Sequence, residues 1–217
     1  MNWQRALWRD RAEAGVQLGE QLAHWRRDPQ AWVLGLPRGG VVVAAEIARQ
    51  LELPLHSWAV RKLAHPSNPE LALGAIGPGG VQIWGEPFGR LDPELRQRLV
   101  AEQEWELRRR QQLYGDPSVE ALHGRPLIVV DDGVATGLTV RAAIQSLRAA
   151  NPSRLVLAVP VIDRQVAQQL KPQVDDLVAL ATVDDLWAVG SWYQQFETVH
   201  DQHVISILGA AHLSHRR

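Results

Sequence analysis

Apolar positions along the chain switch repeatedly between helical and strand spacing. Trp3, Leu7, Ala14, Leu18 and Leu22 recur at helical intervals and predict an amphipathic helix over 3–24, stopped by Asp28-Pro29. The short apolar run 31–36 ends at Pro37-Arg38-Gly39-Gly40, the pattern of a buried strand followed by a turn. Residues 41–51 then read as helix despite the β-branched Val41-Val42-Val43, and 53–60 as a second strand ending at Arg61-Lys62. KLAHPSNPEL (62–71) carries two prolines with Ser and Asn, which predicts a mobile loop. Apolar segments on either side of Gly77-Pro78-Gly79-Gly80 predict a β-hairpin.

A long charged helix is expected from Asp92, the N-cap, with Pro93 in its first position, to about Leu113. Glu94–Arg98, Glu104–Arg108 and Glu106–Arg110 have the i,i+4 spacing that supports it; Glu102, Glu106 and Arg109 interrupt its apolar stripe and either face an active cleft or, the favoured reading, form a solvated face. Beyond it come a strand over 126–130, a helix reaching about Ala150, a strand over 155–160, a helix over 163–170 and a strand over 174–181. The segment 184–208 is Trp-rich and mixed, and 212–217 is expected to fray. Strands alternating with helices across short connections imply an α/β fold, a mostly parallel central sheet with helices on both faces. Ligands of such sheets bind at the carboxyl ends of the strands.

Composition narrows the chemistry. With 217 residues the size expectation is a single domain able to bury its own core. The absence of cysteine excludes disulfides, thiolate catalysis and thiolate metal sites. A near balance of 23 basic and 24 acidic residues argues against nucleic acid as the partner. No targeting segment and no membrane-length apolar run stands out, so the expected location is the cytoplasm. His200 and His203 have a metal-like spacing but no third ligand, and read as surface residues.

The sharpest segment is LIVVDDGVATGLT (127–139). A buried strand delivers Asp131 and Asp132 to its carboxyl end, and small residues with the hydroxyls of Thr136 and Thr139 lead into a helix. Amides at a helix N-terminus cradle a phosphate. Paired carboxylates repel a phosphate, so they fit a ligand that also brings vicinal hydroxyls or a divalent metal; a sugar phosphate with Mg²⁺ brings both. Leu138 stands where a P-loop needs lysine, and no G-x-G-x-x-G is present. The phosphoacceptor pocket of a receiver domain would lie on the first strand, whereas here at least two strands precede the pair.

LIVVDDGVATGLT resembles the phosphoribosyl-diphosphate (PRPP) signature of type I phosphoribosyltransferases, and LGLPRGG (34–40) resembles their pyrophosphate loop. VRKLAHPSNPELALGAIG (60–77) and AVGSWY (188–193) further resemble a bacterial subfamily of unassigned base specificity. The resemblance to the general fold covers about 31–182, and to the subfamily most of the chain. It implies that Asp131 and Asp132 accept the ribose hydroxyls, directly or through Mg²⁺, and act with Lys62 and Arg38 in catalysis. It implies that Ala135, Thr136, Gly137, Leu138 and Thr139 bind the 5′-phosphate, and that Arg38, Gly39, Gly40, Arg61 and Lys62 bind pyrophosphate. His65 lies in what would be a closing loop. Ala135 occupies the position that is acidic in the hypoxanthine–guanine branch, which argues against a 6-oxopurine acceptor. Lys62 alone in that loop is short of the charge expected for an orotate carboxylate.

The resemblance also implies a small hood over the acceptor, from 72–113 and/or 183–208, with Trp187, Trp192 and Tyr193 as candidates to stack on a base; the favoured reading of these aromatics is that they fill a small core. The expected function is Mg²⁺-dependent transfer of phosphoribose from PRPP to a nitrogenous acceptor, a nucleobase in the first instance, by a protein that is a homodimer by analogy with its fold. The alternative is a non-catalytic sensor of PRPP or nucleotides.

Overall fold

The computed structural model describes residues 6–85 and 92–215. Five strands form a wholly parallel sheet: β1 (Trp32–Gly35), β2 (Leu55–Ser57), β6 (Pro126–Val130), β7 (Arg154–Asp163) and β8 (Asp176–Val183), in the order β2-β1-β6-β7-β8. All five residues of β6 are buried, as a strand covered on both faces requires. Their side chains alternate between two cores. Leu127 and Val129 pack with Leu155, Leu157 and the apolar face of α5 (Leu138–Arg148). Ile128 and Val130 pack with Val33, Val156 and the helices α1 (Arg11–Gln21) and α2 (Gly39–Leu51). Each of these fully buried aliphatic side chains contributes about 1.5–3 kcal/mol.

The remaining strands, β3 (Arg61–His65), β4 (Asn68–Gly77) and β5 (Val81–Trp84), form a separate antiparallel sheet. One face packs on α3 (Pro93–Tyr114) through Leu63, Leu73, Ile76, Leu99, Val100 and Leu107. The small sheet also meets α5: a Cβ on Gly77 would stand 3.0 Å from the Ala142 carbonyl. Beside it the buried Trp58 Nε1 donates to Ser146 Oγ at 2.9 Å. Short helices α4 (Val119–Leu122) and α6 (Arg164–Leu170) precede β6 and β8, and α7 (Asp201–His215) covers α2.

Several expectations are corrected. Residues 62–71 are a hairpin rather than a loop: β3 and β4 pair from Arg61↔Ile76 to His65↔Asn68. The register jumps from Ala64↔Ala72 to His65↔Asn68, so Pro69 falls in the bulge, where the ladder needs no donor from it. The first helix begins at Arg11, because the Asp10 side chain caps it by accepting the Glu13 N–H at 2.9 Å. Residues 7 and 8 donate instead to the Trp192 carbonyl; Trp3 lies outside the described residues. The second strand spans only 55–57. Residues 212–215 continue α7, with the His212 ring 5.6 Å from that of His56; 216 and 217 lie outside the described residues. Glu106 and Arg109 do not form a solvated face. Arg109 Nη2 donates to Asp201 at 2.8 Å, and Glu106 accepts from both Arg109 and Arg110. No described helix is long and apolar enough to cross a membrane.

Candidate active site

The carboxyl end of β6 presents Asp131 and Asp132 beside the turn that opens α2. Asp131 Oδ1 accepts the Asp132 N–H at 2.9 Å. Asp132 Oδ2 accepts Arg11 Nε at 2.7 Å, with both side chains largely buried. Arg11 is fixed in turn: its guanidinium lies 3.7 Å from the centre of the Phe196 ring, and Nη1 donates to the Glu197 carbonyl at 2.9 Å. Tyr193 O–H donates to the Asp132 main-chain carbonyl at 2.6 Å. Burial pushes both aspartates above the usual carboxylate range, and the neighbouring Asp132 charge raises Asp131 further. Arg11 opposes the rise at Asp132 without cancelling it. A cation or hydrogen-bond donors brought to the pair would relieve the cost of holding two adjacent carboxylates away from water.

The connection from β6 to α5 is pinned at one point. Val134 N–H donates to the Val161 carbonyl at 2.9 Å, and the Asp163 N–H donates back to the Val134 carbonyl at 2.9 Å. Gly137 then takes a left-handed conformation (φ 71°) immediately before Leu138, the first residue of α5. Among the described residues, the amides of Ala135, Thr136, Gly137, Leu138 and Thr139 have no acceptor. A run of unengaged N–H groups at a helix start, beside a hydroxyl on Thr136 and another on Thr139, is a cradle that suits a phosphate.

The opposite wall is cationic. Leu36, Pro37, Arg38, Gly39, Val60, Arg61, Lys62, Arg110, Asp131, Asp132 and Thr139 enclose a cleft of about 300 Å³. Gly40 lies against the floor: a Cβ there would come within 2.6 Å of the Val130 carbonyl and 2.9 Å of Asp131 Cα. At Gly39 a Cβ would collide with the Asp132 carboxylate. Two glycines thus let the α2 turn close on the acids. Arg61 donates through Nε and Nη2 to Gln103 Oε1 at 3.0 and 2.7 Å. Burial, followed by the positive charges of Arg110 and Arg38, makes its protonated form less favourable than usual.

The structure thus brings Arg38, Gly39, Arg61, Lys62, Asp131, Asp132 and Thr139 to one cleft, with Gly40 behind it; Ala135, Thr136, Gly137 and Leu138 lead into Thr139 but do not line it. Trp187 stands apart in solvent, 92% exposed. Trp192 and Tyr193 are packed with Trp8, Val161 and Leu186 beneath the acidic turn. His65 lines a neighbouring cavity with Arg61 and Lys62. No group of three or more metal-ligating side chains occurs among the described residues, His200 and His203 included. Sequence reasoning missed Arg11, which no local pattern marks. The reading of Trp192 and Tyr193 as core-filling aromatics holds, but the Tyr193 hydrogen bond to Asp132 was not foreseen, and Arg110 was read only as a helix-stabilising partner of Glu106.

A cleft at the carboxyl end of a parallel sheet, with paired carboxylates on one side and cationic side chains on the other, defines the class. The family model described as the phosphoribosyl transferase domain matches residues 10–193, and the chain belongs to that family. The match extends past 31–182 at both ends and takes in Arg11 and Tyr193. A Mycobacterium tuberculosis protein provisionally named phosphoribosyl transferase Rv0571c is 40% identical over 211 residues, which is 95% of this chain and 47% of the relative. Its counterpart in strain CDC 1551 matches to the same extent. The chain thus spans about half the length of the curated relatives it matches. The crystal structure of TT1426 from Thermus thermophilus superposes with a TM-score of 0.73 at 40% identity, covering 93% of this chain and 97% of that one.

Proposed function

We propose that this protein transfers the phosphoribosyl group of PRPP to a nitrogenous acceptor, a nucleobase other than a 6-oxopurine, and releases pyrophosphate. The observation that carries the reading is the set of unengaged amides at 135–139 beside a carboxylate pair and opposite a cationic wall. In this reading the amides, with the Thr136 and Thr139 hydroxyls, take the 5′-phosphate, and Asp131 and Asp132 accept the ribose diol. Arg38, Gly39, Gly40, Arg61 and Lys62 take the diphosphate. The C1–O bond to diphosphate breaks with its electron pair leaving on oxygen. The acceptor nitrogen donates its pair to C1 and then loses its proton. Between those events positive charge develops on the ribose, next to the two aspartates that line the cleft.

Mg²⁺ fits the donor set, because that ion keeps several waters and is held by one or two carboxylates together with substrate phosphates. Asp131 and Asp132 would hold it, and when bound it neutralises charge on the leaving diphosphate. Ala135 has no carboxyl to assist at a base, which supports the exclusion of 6-oxopurines. The whole chain acts as one unit, with the small sheet and α3 over the cleft as the hood and the 183–208 segment beneath the acidic turn. Its substrates are small molecules of the cytoplasm.

Pyrophosphate release measured with a panel of bases, and with none, tests the reading. Base-dependent release is the expected result. Release without a base would make water the acceptor, and binding of PRPP with no release under any condition would make the protein a sensor.

A further inference from the structure

Arg110 sits on α3, far from every motif of the sequence, yet its side chain is only 11% exposed and lines the same cleft as Asp131 and Asp132. A guanidinium does not stay buried without compensation. Arg110 has Glu106, which accepts its Nε at 2.9 Å. Glu106 also accepts Arg109 Nε at 2.6 Å, and that pull from the two arginines holds its carboxyl at about 2, well below the usual range. One carboxylate is thus shared by two guanidiniums. Arg109 is further tied to Asp201, which also receives the Tyr114 hydroxyl at 2.7 Å and stands 3.8 Å from Arg38.

The balance of charge across this wall is uneven. Arg38, Arg61 and Arg110 come from the α2 turn, from β3 and from α3, and all three face one cleft. Arg61 has no carboxylate within ion-pair distance among the described residues; its guanidinium hydrogen-bonds to the neutral Gln103 and feels the Glu106 charge only from further off. Lys62 adds a further charge with no ion-pair partner among the described residues. Mutual repulsion among half-buried guanidiniums is a cost that a multiply charged anion between them removes.

Resting on the phosphoribosyl reading above, we propose that Arg110 is a substrate-binding residue that closes a three-guanidinium clamp with Arg38 and Arg61. The clamp selects a diphosphate over a single phosphate, and Glu106 is the positioning residue that holds Arg110 toward the cleft. A forked donor on each of three separate elements can meet a diphosphate from three directions. The 135–139 cradle, which lacks any arginine, suits a lone phosphate.

Calorimetric titration of the full chain with two probes, inorganic pyrophosphate and ribose 5-phosphate, tests this. Arg110→Gln is expected to weaken pyrophosphate tenfold or more while ribose 5-phosphate stays within twofold of wild type. Arg110→Lys keeps the charge without the fork and should fall between, which preserves the test if Arg110→Gln fails to fold. Glu106→Gln should weaken pyrophosphate selectively. Glu104→Gln, which removes only the exposed pair with Arg108, should change neither ligand. Unchanged pyrophosphate affinity in Arg110→Gln, or equal loss of both ligands, would overturn the clamp. Wild-type protein that binds pyrophosphate but not ribose 5-phosphate would sink the phosphoribosyl reading and leave the clamp standing.

Discussion

Replacing Gly40 by alanine sets two physical effects against each other. Gly40 is the second residue of α2, where alanine is favoured over glycine by up to about 1 kcal/mol on helix propensity alone. The added methyl, however, would lie 2.6 Å from the Val130 carbonyl oxygen and 2.9 Å from Asp131 Cα. Both neighbours are main-chain atoms at the end of a fully buried strand, so no side chain can swing aside. Overpacking of this kind costs about 1–3 kcal/mol, and the rigid surroundings place it near the upper end. The net loss should be about 2 kcal/mol, or a fall in Tm of roughly 4–8 °C for a chain of this size.

Gly209 in α7 is the matched control, since a Cβ there meets nothing within 4 Å. Gly209→Ala should raise Tm by about 2–4 °C. The two variants, followed by calorimetric melting, must move in opposite directions. Gly40→Ala should also bind pyrophosphate more weakly, because the α2 turn can no longer close on the acids. A Gly40→Ala protein as stable as wild type would show that the turn does not press on β6, and the tight cleft described above would be wrong.

Asp132→Asn should lower single-turnover rate more than it weakens PRPP in calorimetry, since the lost charge matters most as the ribose becomes cationic; equal losses would reduce Asp132 to a binding role. Asp116, buried and tied to Ser57 Oγ and the Ala59 amide, is pushed by burial up to about 6. A carboxyl whose folded value exceeds its unfolded one stabilises the fold most below the unfolded value, and that contribution is lost as pH rises from about 4 to about 6, on the order of 3 kcal/mol in all. Urea unfolding at a series of pH values should show Asp116→Asn lacking this decline; parallel profiles for the two proteins would contradict it. Ser146→Ala leaves the buried Trp58 N–H without its acceptor and should cost about 1–3 kcal/mol in the same assay.

How far the sequence discloses this molecule depends on the distance over which each feature is determined. The β6–turn–α5 unit could be placed from its residues because everything that shapes it is local: a β-branched run, two acids, two glycines and an apolar helix. Strands β7 and β8 were legible for the same reason. The β3–β4 hairpin was not, since Pro66 and Pro69 carry the composition of a loop and only the bulge in the register accommodates the second of them. Arg11 meets Asp132 across 121 positions of chain, and Arg109 meets Asp201 across 92. No spacing rule reaches that far. Arg109 looked solvated because Asp201, its second partner, lies on an element near the other end of the sequence.

Strand-like contacts between residues 7–9 and 192–195 tie two remote stretches of backbone into a buckle directly under Asp132. Tyr193 and Arg11, one from each side of that buckle, grip the same aspartate by its carbonyl and its carboxylate. Trimming the chain back past residue 11 would therefore be felt at the acidic pair and not only at the periphery. Forms shortened from the start of the chain should lose ligand affinity at this threshold well before they lose the parallel sheet.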